Sequence, residues 1–240
     1  MDLSIVIPAY NEESKIKRDV EQAALFLNQH SMEGEVMVVD DGSEDRTSAA
    51  ASEADTGPLV ELKIIQLPKN KGKGFAVKTG ILASKGDVVL FADSGTCVPY
   101  KNALPCIKRI KAGDVEIALA SRYAKETVIH RNRPLPRRIL SRLFHWAAVW
   151  IAGLPKKITD SQCGFKIYNG DTARELFSQC LISGFLFDLE ILIRAIKQGC
   201  TITEFPVEWT CDLDTRLQPA SHAKQVIKDL FKVRKIAKKS

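Results

Sequence analysis

The sequence predicts an α/β domain built on a mostly parallel sheet with helices on both faces. Three observations carry that reading. Short β-branched apolar runs alternate with helical patterns from Ser4 to Ala120. The runs are apolar throughout instead of alternating with polar residues, as strands buried on both faces are. Tyr10, Asn11, Glu12, Asp40, Asp41 and Asp93 all fall where strands are predicted to end, the edge at which such sheets bind ligands.

The elements follow in order. Ser4 to Pro8 reads as a strand, and Glu13 to Gln29 as a helix with Ile16, Val20, Ala23, Ala24 and Leu27 on one face. Val36 to Asp40 is a second strand closed by Asp41-Gly42, after which Ser43 is expected to cap a helix. Lys63 to Leu67 is a third strand, Gly72 to Ser84 a helix entered through a glycine-bearing turn, and Val88 to Ala92 a fourth strand. Asn102 to Lys111 reads as a helix and Glu116 to Ala120 as a fifth strand. Beyond Ser121 the pattern changes. Arg122 to Pro136 is basic and reads as loop, and Arg137 to Ala152 as a helix that is apolar on most sides in its second half. Thr159 to Tyr168 reads as a loop and short strand, Phe187 to Gln198 as a helix, Ile202 to Trp209 as a late strand, and Ser221 to Lys238 as a basic amphipathic helix.

With 240 residues, 45 % of them apolar, the chain has enough for one sizeable core and is too short for two comfortable domains. The formal net charge of +6 suits a polyanionic ligand, an anionic membrane surface or a nucleic acid without choosing among them. Much of it lies in Arg131 to Arg142 and Lys224 to Lys239. None of the six cysteines forms a C-x-x-C pair, which disfavours a zinc ribbon, and they read as reduced, small hydrophobes. Met1-Asp2-Leu3 runs straight into the first strand, so no secretory leader is expected, and no apolar run is long enough to cross a bilayer.

Several clusters have chemistry within reach. Asp40-Asp41-Gly42-Ser43 sets two carboxylates between a strand and a helix start, where a base or ribose offers donors; an ordinary capped turn fits as well. Asn70-Lys71-Gly72-Lys73-Gly74 opens a helix, a place that favours phosphate, though a plain turn has the same look. Asp93 supplies one carboxylate for a Mg²⁺ or Mn²⁺ bridging a diphosphate, a set incomplete by itself. Asp160, in Asp160-Ser-Gln-Cys-Gly-Phe-Lys166, is a general base if burial raises its pKa, or an Asx-turn residue. Arg137, Arg138 and Ser141 share one helical turn, with Arg131, Arg133 and Arg142 nearby. Trp146 and Trp150 follow, so this helix fits a membrane interface or a basic helix end packed on the core.

In series these motifs resemble the family 2 glycosyltransferases of the GT-A fold, and among them the dolichyl- or polyprenyl-phosphate glucosyl- and mannosyltransferases. The resemblance runs through Ile5-Val-Ile-Pro-Ala-Tyr-Asn-Glu12, Val38-Val-Asp-Asp-Gly-Ser43, Asn70 to Gly74, Asp87 to Asp93, Ser121-Arg-Tyr123, Asp160 to Lys166, Phe187-Asp-Leu-Glu190 and Glu204-Phe-Pro-Val-Glu-Trp209. It implies a Rossmann-like N-terminal half and one catalytic domain over 1–215, divided into a nucleotide-binding half 1–122 and an acceptor half 123–215, with 216–240 as a basic helix or tail. Pro8, Tyr10, Glu12, Asp40, Asp41 and Lys73 would then hold the nucleotide. Asp93 would be the metal-side carboxylate for Mg²⁺ or Mn²⁺, and Asp160 the acceptor-side carboxylate or base. Arg122, Arg138 and Ser141 would hold a lipid phosphate. The implied reaction is inverting transfer of a hexose from UDP-glucose or GDP-mannose to a polyprenyl phosphate, at the cytoplasmic face of a membrane bound peripherally. No nucleic-acid partner is implied, and the sequence does not fix an oligomeric state. The chain departs from the family pattern at Asp93-Ser94-Gly95, where an Asp-x-Asp lacks its second acid. A transferase with a soluble or protein acceptor, or a non-catalytic nucleotide-sugar-binding module, is consistent with the same residues.

Overall fold

The computed structural model describes residues 1–131, 134–212 and 219–238, leaving aside the side chains of 136, 137, 139 and 219–224. Nine strands and eight α-helices are described. β1 (Leu3–Ala9), α1 (Glu13–Gln29), β2 (Gly34–Asp40), α2 (Thr47–Ser52), β3 (Val60–Gln66), α3 (Lys73–Ala83) and β4 (Val88–Ala92) alternate as expected. They are followed by α4 (Leu104–Lys111), β5 (Ile117–Ser121), β6 (Val128–Arg131), α5 (Leu135–Ala152) and β7 (Phe165–Asn169). The described chain then runs through α6 (Gly170–Ser178), α7 (Phe187–Lys197), β8 (Ile202–Pro206), β9 (Glu208–Thr210) and α8 (Pro219–Lys238).

The main sheet has the order β3-β2-β1-β4-β7-β5-β8, and only β7 runs against its neighbours. The continuous apolar character of the strands has a direct cause. Ile5, Ile7, Val36, Val38 and Leu90 join a core layer under α1, α2 and α4. Their alternates Val6, Met37, Val39, Val89 and Phe91 join a second layer under α3, α5, α6, α7 and α8. With both faces covered, neither the odd nor the even positions can be polar. The C-terminal helix belongs to that second layer, since Leu230 and Val233 are buried in it.

Four sequence expectations are corrected. Ser43 does not cap α2, which begins four residues later; Asp45 accepts the Thr47 N–H instead (3.0 Å), and the Ser43 hydroxyl accepts the Asn11 N–H (2.9 Å). The stretch Arg122 to Pro136 is not all loop, because β6 forms within it and pairs in parallel with β9. The single late strand is two, β8 and β9, in different sheets and meeting around Val207. Helix α6 was not expected. Arg133 and the Arg137 side chain lie outside the described residues.

Candidate active site at the carboxyl edge of the sheet

The parallel strands β1, β2 and β3 end level with one another at Ala9, Asp40 and Gln66, and β4 ends at Ala92 on the same side, about two residues earlier. Because β7 is antiparallel, its first residue, Phe165, lies opposite Ala92 at that same edge. The reversal brings the 159–164 loop to the ligand-binding side. On the far side, Ser121 pairs with Pro206, so the segments following β5 and β8 arrive there too. The strand order reverses between β1 and β4, which opens a crevice at their ends.

The loops around the first half are stitched together by side chains. Asp40 is buried and uses both oxygens locally, accepting Ser43 N–H (2.8 Å) and Ser48 hydroxyl (2.5 Å). Asp41, also buried, accepts the Lys71 and Gly72 N–H groups (2.7 and 2.8 Å). Burial lifts the Asp41 pKa above the usual carboxylate range against the pull of those two amides. Hence the two adjacent acids expected against a base or ribose fix the segments around Ser43 and Lys71, and two amides of the expected phosphate turn are already taken. Pro8 and Tyr10 are half-buried beside them. Glu12 is ion-paired with Lys15 (2.7 Å), which also meets Asp212 (2.9 Å).

The loop after β4 is built with equal care. Buried Asp19, on α1, accepts the Ser94 hydroxyl (2.7 Å), the Gly95 N–H (2.6 Å) and the Thr96 hydroxyl (3.2 Å). Gly95 and Thr96 are both in the left-handed region, at φ 101 and 46. Two successive such residues need external hydrogen bonds to persist, and Asp19 provides them. Asp93 itself remains 36 % exposed and pairs with Lys73 at 2.7 Å. Its N–H donates to the Gly164 carbonyl (2.8 Å). A Cβ on residue 164 would lie 1.9 Å from Asp93 Oδ2, so only glycine there lets the carboxylate lie against the backbone.

Behind this pair is a second one. Lys166 is fully buried and meets Asp188 at 2.8 Å, while donating to the Cys163 carbonyl (2.7 Å). Burial pushes the Asp188 pKa up despite the pull of Lys166 and Lys73. For Lys73 burial opposes the charge, but Asp93 and Asp188 outweigh it and its pKa is raised. Glu190 completes the support. Its buried carboxylate accepts the Ile182 N–H (2.8 Å) and Arg194 Nε (2.9 Å), fixing the 181–183 segment whose Ser183 carbonyl accepts the Phe75 N–H at the start of α3 (3.1 Å). The Phe187-Asp-Leu-Glu190 motif is thus scaffolding for Lys73.

Asp160 corrects an expectation. It is 2 % exposed, yet its pKa is lowered, because Arg122 outweighs burial. Arg122 donates to it through Nε (2.6 Å) and Nη2 (2.7 Å), and the Arg122 N–H adds a third bond (3.0 Å). A carboxylate so held lacks the raised pKa on which the general-base expectation depended. Glu204 anchors the loop from below, accepting the Thr159 and Asp160 N–H groups (2.9 and 2.8 Å). Asp93, Cys97, Arg122, Gln162, Cys163 and Gly164 line one pocket, with Trp209 stacked 5.7 Å from the Arg122 guanidinium. Burial pushes the Cys97 thiol up to about 11 and the Cys163 thiol up to about 12, which removes both as nucleophiles near neutral pH. Arg138 is exposed on α5, and the Ser141 hydroxyl lies 3.4 Å from that of Tyr123. Neither lines the pocket that holds Asp93 and Arg122.

The donor set does not fit a conventional Mg²⁺ or Mn²⁺ site. Asp93 is the sole acid of its loop, its Oδ1 is taken by Lys73, and no group of three His, Cys, Asp or Glu side chains suited to a metal occurs among the described residues. Sequence reasoning missed Asp19, Gly164, Lys166, Asp188 and Glu204 as working parts, although all but Asp19 lie inside motifs it singled out.

Comparison with known proteins agrees with this architecture. Residues 4–177 match the family model described as Glycosyl transferase family 2. The chain is 33 % identical to the dolichyl-phosphate beta-glucosyltransferase of Dictyostelium discoideum, over 97 % of this chain and 73 % of that protein. It is 34 % identical to that of Drosophila melanogaster, over 97 % and 74 %. In structure it resembles the glucosyl-3-phosphoglycerate synthase of Mycobacterium tuberculosis solved with Mn²⁺, UDP-glucose and phosphoglyceric acid. That likeness has a TM-score of 0.72 and 19 % identity, and covers 98 % of this chain and 80 % of the synthase. The ordered edge of loops, the fold and the match over most of the chain lead to one conclusion: this protein belongs to glycosyl transferase family 2 and has the GT-A fold.

Proposed function

We propose that this chain transfers glucose from UDP-glucose to a polyprenyl phosphate of the dolichyl type, inverting the anomeric centre in one displacement. The observation that supports the reading is one pocket lined by both Asp93 and Arg122; on this reading Asp93 serves the donor and Arg122 the acceptor. Pro8, Tyr10 and Glu12 contact the nucleotide, while Asp40 and Asp41 fix the loops around it. The diphosphate meets Lys73 beside Asp93. The acceptor phosphate uses the N–H groups of Arg122 not committed to Asp160, then Arg138 and Ser141. Asp160 is a positioning residue for Arg122. A phosphate oxygen of the acceptor is already anionic at neutral pH, so it needs orientation more than deprotonation. As it bonds to C1, the bond from C1 to the diphosphate breaks and the electron pair leaves with the nucleotide. The Mg²⁺ or Mn²⁺ expected from the resemblance would have Asp93 as its one acid of the loop, and no step is assigned to it.

A lipid acceptor requires access to a membrane. Among the described residues no helix is long and apolar enough to cross one. Helix α5 exposes Leu143, Trp146 and Trp150 along one side, the two tryptophans at 60 and 66 %. Helix α8, packed against it, exposes Ile227 and Phe231 with Lys228, Lys232 and Lys235. Aromatic and aliphatic residues interleaved with lysines suit the surface of an anionic bilayer, and peripheral attachment through α5 and α8 is part of this reading. The test is to incubate the purified chain with radiolabelled UDP-glucose and dolichyl phosphate in detergent and to follow label into the organic phase. Label in the organic phase supports the reading. No transfer from UDP-glucose or GDP-mannose contradicts it, and label on an added water-soluble phosphate alone moves the acceptor to the soluble class.

A further inference from the structure

Four buried or half-buried charges, Asp93 among them, form a row in which sign alternates: Lys166, Asp188, Lys73, Asp93. It runs from a fully buried ammonium to a carboxylate at the mouth of the pocket. The row is neutral, so it offers no excess negative charge to draw in a divalent cation. Lys73 is the third member, next to Asp93 at the outer end, and is the first residue of α3, where the helix dipole disfavours a cation by roughly 0.3–1 kcal/mol. Its placement is enforced from elsewhere: by Asp93 at 2.7 Å, by the Phe91 ring at 5.3 Å, and by the 181–183 segment that Glu190 holds. A second acid at residue 95 is disfavoured by the backbone, at φ 101, and by the carboxylate of Asp212 beside it. A Cβ on residue 95 would lie 2.7 Å from Asp212 Oδ2, and Asp212 itself carries the Lys15 ammonium.

Building on the nucleotide-sugar reading, we propose that Lys73 is the cation that meets the donor diphosphate in this chain, and that nucleotide binding here does not depend on a divalent metal. Asp93, which lines the pocket, holds the ammonium beside it until the donor arrives. The diphosphate oxygens then share it, and the charge that develops on them as the bond to C1 breaks is met by a group already in place. Lys166 opposes a retreat of Lys73, since it would bring two ammonium groups together.

The test is calorimetric titration of UDP into the whole chain, once with EDTA and once with excess Mn²⁺. The expected result is a Kd that changes by less than about threefold between the two buffers, and a Lys73→Met variant that binds UDP about tenfold or more weakly in EDTA. Lys73→Arg, which keeps the charge, is expected to lie closer to wild type than Lys73→Met. A gain of about tenfold or more from Mn²⁺ in the wild type overturns the proposal and leaves the nucleotide-sugar reading intact. Unchanged UDP affinity in a folded Lys73→Met has the same effect. Should Lys73→Met fail to fold, the two wild-type titrations decide the matter alone. If the folded wild type binds neither UDP nor GDP in either buffer, the underlying reading falls and this inference falls with it.

Discussion

Two carboxylates at the same edge of the sheet are held in opposite ways. Asp160 is sealed, with both oxygens taken by one guanidinium, its loop anchored by Glu204, and Trp209 stacked over Arg122. Asp93 is open, more than a third exposed, with a single lysine on one oxygen and a glycine backbone behind it. A fully paired carboxylate has little left to offer a ligand and serves to fix its partner. A carboxylate with one cation on one oxygen keeps its other oxygen for something in the pocket. On the proposed reading the difference makes Asp160 a positioning residue and Asp93 the one at the reaction, although in the sequence both look like lone acids in polar loops.

The comparison can be broken at several points. The largest effect is expected behind Asp93. Asp188→Ala strands the Lys166 ammonium in the core and is expected to cost about 3–5 kcal/mol in urea unfolding. A loss under about 1 kcal/mol contradicts the burial of that pair. Next is Gly164→Ala. Its methyl group collides with Asp93 Oδ2, so UDP-glucose turnover is expected to fall by about tenfold or more, with a loss of roughly 1–3 kcal/mol of stability from the overpacking.

The third concerns pH. The folded pKa of Asp160 lies below its unfolded value, so its stabilisation is complete above the unfolded value, near 3.9 for an Asp, and is lost as pH falls through the lower folded value. Asp160→Asn should therefore flatten the acid limb of the stability curve as well as lower its plateau. An unaltered slope in acid would falsify the sealed-pair description. The smallest effect is at the surface. Replacing Trp146 and Trp150 together with Ala should leave the melting temperature within about 2 °C and weaken sedimentation with anionic vesicles by about tenfold. Equal vesicle binding removes α5 as the contact.

Much of this was legible in the sequence because two-sided burial writes itself as uninterrupted apolar runs. β1, β2 and β4 were placed from that signal alone, and Tyr10, Asp40 and Asp93 followed from their ends. Elements lacking the signal were missed. All four residues of β6 are exposed, so nothing in them marks a strand. Helix α6 had a readable start, since the Asn169 side chain accepts the Asp171 and Thr172 N–H groups (3.1 and 3.2 Å), but the short helix follows β7 without a linker. The pairings Lys166–Asp188, Asp19–Gly95 and Thr159–Glu204 join residues 22, 76 and 45 positions apart. Such contacts depend on topology, above all on the reversal of β7, and no local pattern encodes them. The direction of the Asp160 pKa stayed open for the same reason, as burial was foreseeable and its Arg122 partner was not.

The claim on which the rest depends is that chemistry takes place at Asp93. The direct measurement is the initial rate of glucose transfer to dolichyl phosphate by wild type and by Asp93→Asn, both verified as folded by their melting temperatures. The expected result is a rate about tenfold or more lower in the variant, equivalent to at least ~1.4 kcal/mol of lost transition-state stabilisation. An undiminished rate in a folded Asp93→Asn would contradict the site.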